Sequence, residues 1–176
     1  MKTHNFSAGP CILPDEVFKK ASDAILDFDN SLSLIEVSHR STPFVNVMSK
    51  CISLVKELLN IPTGYSVLFL QGGASLQFLM IPFNLMKLNG SAAYLNTGTW
   101  STKAINEAQL FGNTIVVGDS SDKNFNYIPK NYSIPENVDY FHCTSNNTIF
   151  GTQIKDFPKI SNPIVCDMSS DIFSRK

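Results

Sequence analysis

The sequence has no apolar run long enough to cross a bilayer, and nothing apolar follows the lysine of Met1-Lys2-Thr3-His4-Asn5-Phe6 as a secretory signal requires. The expectation is a soluble, cytoplasmic protein. It also has no excess of one charge: 14 basic and 15 acidic residues leave a net −1, scattered without a basic stripe, so a nucleic-acid backbone has nothing to bind. Cysteine is scarce. Cys11, Cys51, Cys143 and Cys166 form no Cys-x-x-Cys, which favours buried reduced thiols over a disulfide framework or a metal site. Asn-x-Ser/Thr triplets begin at Asn5, Asn89, Asn131 and Asn146, but without a secretory route they carry no glycosylation meaning. Internal repeats and low-complexity tracts are missing, and tryptophan occurs once, at Trp100.

What is present suits one globular domain: of 176 residues, 43% are hydrophobic, enough for a real core. Pro14 and Asp15 open a segment with Phe18, Ala21, Ile25 and Phe28 at helical spacing. From Pro43, a second helix carries Phe44, Met48, Cys51, Ile52, Val55, Leu58 and Leu59 as a core-facing stripe, stopped by Asn60 and Pro62. Short apolar runs follow, at Val67–Leu70, Ala92–Leu95, Thr114–Val117, Tyr140–Cys143 and Ile164–Cys166. Runs apolar on consecutive residues suit strands buried on both faces. Two stretches of helical length, Ala74–Met86 and Trp100–Phe111, alternate with them, and Pro82 should kink or shorten the first. The alternation predicts an α/β domain with a parallel sheet. The polar segment 119–137 reads as a long surface connection.

Ligands in such sheets bind beyond the carboxyl ends of the strands. There the sequence places Gly72-Gly73-Ala74-Ser75, where a tight turn leads into a helix whose free N–H groups suit an anion, although neither a Gly-x-Gly-x-x-Gly nor a Walker pattern is present. The plainer reading is a simple turn. Asn96-Thr97-Gly98-Thr99-Trp100 puts the indole at another strand-to-helix junction, either as core filling or as a flat surface for a planar ring. Asp167, ending an apolar strand, needs a helix cap or a cationic partner. The run Thr144–Gly151 offers hydroxyl and amide groups, or a hydrogen-bonded turn.

Taken together, Asn5–Pro10, Leu13-Pro14, Glu36–Ser41, Gly72–Phe78, Gly98-Thr99-Trp100, Asn147–Gly151 and Asp167–Ser170 occur in an order that resembles phosphoserine aminotransferases, in the class V group of pyridoxal-phosphate (PLP) enzymes. The resemblance covers the whole chain. It implies the large domain of the fold type I PLP-dependent transferases, with helices on both faces of an incomplete sheet. Residues 1–14 would form an N-terminal arm and 15–176 the first part of the PLP-binding domain. The resemblance further implies that Ala74 and Ser75 hold the PLP phosphate, Trp100 stacks on the ring, Thr148 bonds its phenolic oxygen and Asp167 pairs with its nitrogen. His39 and Arg40 match the substrate-anion residues, and a guanidinium fork suits carboxylate or phosphate. The implied reaction moves an amino group between glutamate and phosphohydroxypyruvate, giving phosphoserine and 2-oxoglutarate in serine biosynthesis, within a homodimer.

Two departures accompany the resemblance. Ser75 stands where some members carry a phosphate-binding arginine. Lys176 does not match the turn around the family's Schiff-base lysine, which is expected beyond this chain, so the chain alone is expected to be inactive and to need the missing C-terminal half. The strand at Val67–Leu70 would also lack its family neighbour. The alternatives are a non-catalytic PLP-holding or dimerisation module, or another class V aminotransferase.

Overall fold

The computed structural model describes residues 3–174 and divides after Phe69 into two compact units. In the first, residues 3–14 carry neither helix nor strand. Helix α1, Asp15–Leu26, begins after Pro14 with Asp15 and Glu16 in its first turn, where carboxylates favour the positive end of the helix dipole. Helix α2, Thr42–Leu58, has proline in its first turn. It stops at Asn60, whose φ of 50° is left-handed, and the N–H of Ile61 closes the end on the Lys56 carbonyl at 2.9 Å. The expected stripe of α2 is its less exposed face: Phe44, Met48, Cys51, Ile52, Val55 and Leu59 are half-buried, while Leu58 is exposed and no residue of the helix is fully buried.

The run Val67–Leu70 is not the strand that its composition predicts. Leu68, Phe69 and Leu70 are 71%, 55% and 60% exposed, and among the described residues no backbone hydrogen bond runs to this segment. A strand needs a neighbouring strand to satisfy its N–H and C=O groups; apolar composition alone does not supply one.

The second unit is built on four parallel strands: β1 (Ser91–Asn96), β2 (Asn113–Asp119), β3 (Phe141–Thr144) and β6 (Ile164–Asp167), in the order β2-β1-β3-β6. Ala93 lies opposite Phe141, and Thr144 opposite Asp167. The interior strands β1 and β3 are buried on both faces, as their consecutive apolar residues foretell. One face packs Ala92, Tyr94 and Tyr140 against Phe78 of α3 (Gly73–Leu85) and Ala104, Ile105 and Ala108 of α4 (Thr99–Ala108). Pro82 sits inside α3, which ends three residues later at Leu85.

The opposite face, with Ala93, Leu95, Phe141 and Cys143, is covered within this unit by irregular chain rather than by a helix. Ile128, Tyr132 and Ile134 of the polar connection pack there, together with Val138 and Ile154. The segment read as a surface connection is therefore also a cover for the sheet. Its apolar residues are too few and too irregularly spaced to announce that role. Each fully buried side chain here, such as Leu95 or Phe141, stabilises the fold by about 2 kcal/mol. Of the cysteines expected to be buried, only Cys143 is; Cys51 and Cys166 are half-buried and Cys11 is exposed.

Candidate active site

The carboxyl ends of the adjacent strands β1, β3 and β6 each present, at the strand end or in the turn after it, one residue singled out in the sequence. Trp100 follows β1, Thr148 follows β3, and Asp167 ends β6.

The turn after β1 is held by Ser101, which is completely buried. Its hydroxyl accepts the N–H of Thr97 at 2.9 Å and of Gly98 at 3.0 Å, and lies 2.9 Å from Asn96 Oδ1, to which it donates. Two N–H groups at the start of α4 are thereby satisfied without solvent. Trp100, on the first turn of α4, is half-buried against the core, with Lys103 Nζ 4.9 Å from its ring centroid.

After β3 the chain forms a small hairpin, β4 (Asn146–Asn147) with β5 (Thr152–Gln153). Gly151, at φ 74°, permits the tight return, and its N–H bonds the Asn147 carbonyl at 2.8 Å. Buried Asn147 joins this hairpin to the β1 turn: its amide donates to Thr97 Oγ1 at 3.2 Å and to Thr152 Oγ1 at 3.1 Å. Thr148 is thus brought to Trp100, whose indole N–H lies 3.4 Å from its hydroxyl.

The β3 and β6 ends are tied in the same way. Ser145 hydrogen-bonds the Asp167 carbonyl through its N–H at 3.0 Å, and the Asn146 amide donates to Ser170 Oγ at 2.9 Å. Oδ1 of Asp167 accepts the N–H of Ser169 at 3.1 Å and its hydroxyl at 2.6 Å, which fixes the carboxylate at the strand end.

A cavity of about 230 Å³ lies beside these turns, lined by Ala74, Gln77 and Phe78 of α3 and by His142, Asp167 and Ser169. Helix α3 enters through Gly72 at φ 92°, where a Cβ would come within 2.3 Å of Leu76, so only glycine fits. No side chain among the described residues caps this helix, leaving the N–H groups of Gly73, Ala74 and Ser75 available to an anion.

The aminotransferase class-V family model matches residues 3–176. The chain belongs to the class-V aminotransferase family. Phosphoserine aminotransferase of Flavobacterium psychrophilum is 65% identical over 99% of this chain and 50% of its own length. That of Bacteroides fragilis is 57% identical over 99% of this chain and 49% of its own. Among solved structures, the Bacillus circulans phosphoserine aminotransferase superposes with a TM-score of 0.93 at 44% identity, covering 99% of this chain and 49% of that one. A PLP-bound phosphoserine aminotransferase from Trichomonas vaginalis superposes at 0.88 with 33% identity, over 97% and 49%. This class-V aminotransferase chain thus spans about half the length of the relatives it matches.

His39 and Arg40 lie in the first unit, exposed in the turn before α2, where the Arg40 N–H bonds Ser38 Oγ at 3.2 Å. Sequence reasoning missed the buried polar residues behind the turns: Thr97, Ser101, Asn147 and His142. The available signal was a polar residue inside or directly after an apolar strand. For His142 that signal was visible, but its neighbours were not.

Proposed function

We propose that this chain holds the cofactor-binding elements of a PLP-dependent phosphoserine aminotransferase. The observation that carries the reading is the convergence of Trp100, Thr148 and Asp167 at the ends of three adjacent parallel strands, beside an uncapped helix start. The residues fit PLP. An anion-accepting helix end suits its phosphate, an indole its ring, a hydroxyl its phenolic oxygen, and a fixed carboxylate its basic nitrogen.

When bound, PLP supplies an electron sink for removal of the proton from an amino acid's Cα. The chain's own residues have distinct tasks around it. Asp167 keeps a proton on the ring nitrogen, and Ser169 holds that carboxylate in orientation. Trp100 would offer its indole as the stacking surface for the ring, and the Thr148 hydroxyl would bond the phenolic oxygen. The N–H groups of Ala74 and Ser75, at the start of the helix, would hold the phosphate. His39 and Arg40 bind the substrate anion, Arg40 as a bidentate fork.

The substrates of this reading are phosphoserine, glutamate and 2-oxoglutarate, and the protein is a cytoplasmic homodimer. Support for the substrate class comes from the phosphoserine aminotransferases at 57–65% identity. The test is Asp167→Ala in the full-length protein. Transamination of phosphoserine is expected to fall to a trace while the melting temperature stays close to wild type. Near-normal turnover in that variant sinks the assignment.

A further inference from the structure

His142 is only 1% exposed, yet neither ring nitrogen has a hydrogen-bond partner among the described residues. The ring is not free to turn away. Tyr94 stacks on it at 5.0 Å between centroids and Phe78 meets it edge-on at 6.4 Å. The Tyr94 hydroxyl bonds Tyr140 at 2.6 Å and makes no bond to the imidazole. Burial pushes the imidazole pKa down to about 4, so at neutral pH it carries one N–H donor and one acceptor.

The sheet register places these groups beside Asp167. His142 lies opposite Val165 and Thr144 opposite Asp167, so side-chain alternation puts His142, Thr144 and Asp167 on one face of the sheet. His142 and Asp167 line the same 230 Å³ cavity. Oδ1 of Asp167 is taken by Ser169, whereas Oδ2 accepts no bond among the described residues. The buried hydroxyl of Thr144 has no such partner either. His142 and Asp167 both line this cavity, which is roomy enough for water, and their unpartnered imidazole N–H and carboxylate oxygen supply the two polar contacts that a bound water needs at least.

We infer that His142 is a positioning residue for Asp167, acting through water in this cavity: its N–H holds the water that bonds Oδ2, while Ser169 holds Oδ1. With both oxygens restrained, the carboxylate presents one orientation to a cationic ring nitrogen. The inference rests on the reading of Asp167 as that nitrogen's partner.

The test uses the full-length protein with three variants, His142→Phe, His142→Gln and Asp167→Asn. PLP affinity is measured by absorbance titration, and the pH titration of the bound cofactor's visible band is recorded. His142→Phe keeps a flat ring and loses the donor; PLP affinity is expected to fall about tenfold and the band's pKa to move by about one unit. His142→Gln, which retains an N–H, should recover most of both. On the Asp167→Asn background, His142→Phe should add no further shift. If His142→Phe binds PLP and titrates like wild type while Asp167→Asn does not, this inference is wrong and the reading of Asp167 survives. If Asp167→Asn alone changes neither quantity, the reading of Asp167 fails instead. Should His142→Phe not fold, nitrogen-15 spectra of the wild type decide: a slowly exchanging His142 ring N–H that moves in Asp167→Asn supports the link, and a fast-exchanging one overturns it.

Discussion

A single buried histidine makes this molecule's stability sensitive to mild acid. With its pKa lowered from 6.5 to about 4 by burial, His142 stays neutral in the fold where an unfolded chain would take up a proton. Between those values the unfolded state binds more protons, so stability falls as pH drops through this window and levels off below it. This net depression, in which the nearby Asp167 charge already offsets part of the effect of burial, corresponds to about 3 kcal/mol. Urea unfolding at pH 7 and pH 4.5 should differ by less in His142→Phe than in the wild type; equal differences would show that other groups carry the acid sensitivity. Arg40 is the contrasting case of an exposed side chain, proposed above as the fork for the substrate anion. Arg40→Lys is expected to raise KM for phosphoserine at least about tenfold with little change in melting temperature, because a point charge cannot reproduce the fork. A variant that melts early yet keeps its KM would mark Arg40 as structural.

Elements are held in place here by the turns that follow them. The Ser101 hydroxyl satisfies two N–H groups at the entry to α4, and both are left unpaired in Ser101→Ala. The expected loss is about 2 kcal/mol or more, read as a lower denaturation midpoint with unchanged m-value. Asn147→Ala cuts the link between the β1 turn and the β4–β5 hairpin, and so releases Thr148 from Trp100. Because Trp100 is the chain's single tryptophan, its fluorescence reports on that one spot. A red-shifted emission is expected in Asn147→Ala, and an unaltered spectrum would show that the hairpin is held by other contacts. Gly72 is the third such device, since its left-handed φ and the closeness of Leu76 bar any side chain. These devices were only partly legible in the sequence. The glycines and the Asn-Asn-Thr run pointed to turns, but the partner of each polar group lies up to 50 residues away along the chain.

For the whole molecule, the parallel sheet leaves β2 and β6 at its edges, and the run Val67–Leu70 forms no strand and carries three exposed apolar side chains. Expressed as this 176-residue segment, the chain is expected to self-associate through such surfaces, and sedimentation giving a compact, stable monomer would contradict that. The sequence by itself determined the α/β class, the four helices, four of the five expected strands and the order of the motifs along the strand ends. Consecutive apolar residues and helix start and stop signals are local properties, and they need no knowledge of neighbours. Tertiary structure alone decided that Val67–Leu70 forms no strand, that a polar connection covers one sheet face, and that His142 shares a cavity with Asp167. Strand pairing, burial and hydrogen-bond satisfaction depend on which distant segments arrive beside a residue, and that is settled only when the sheet is assembled.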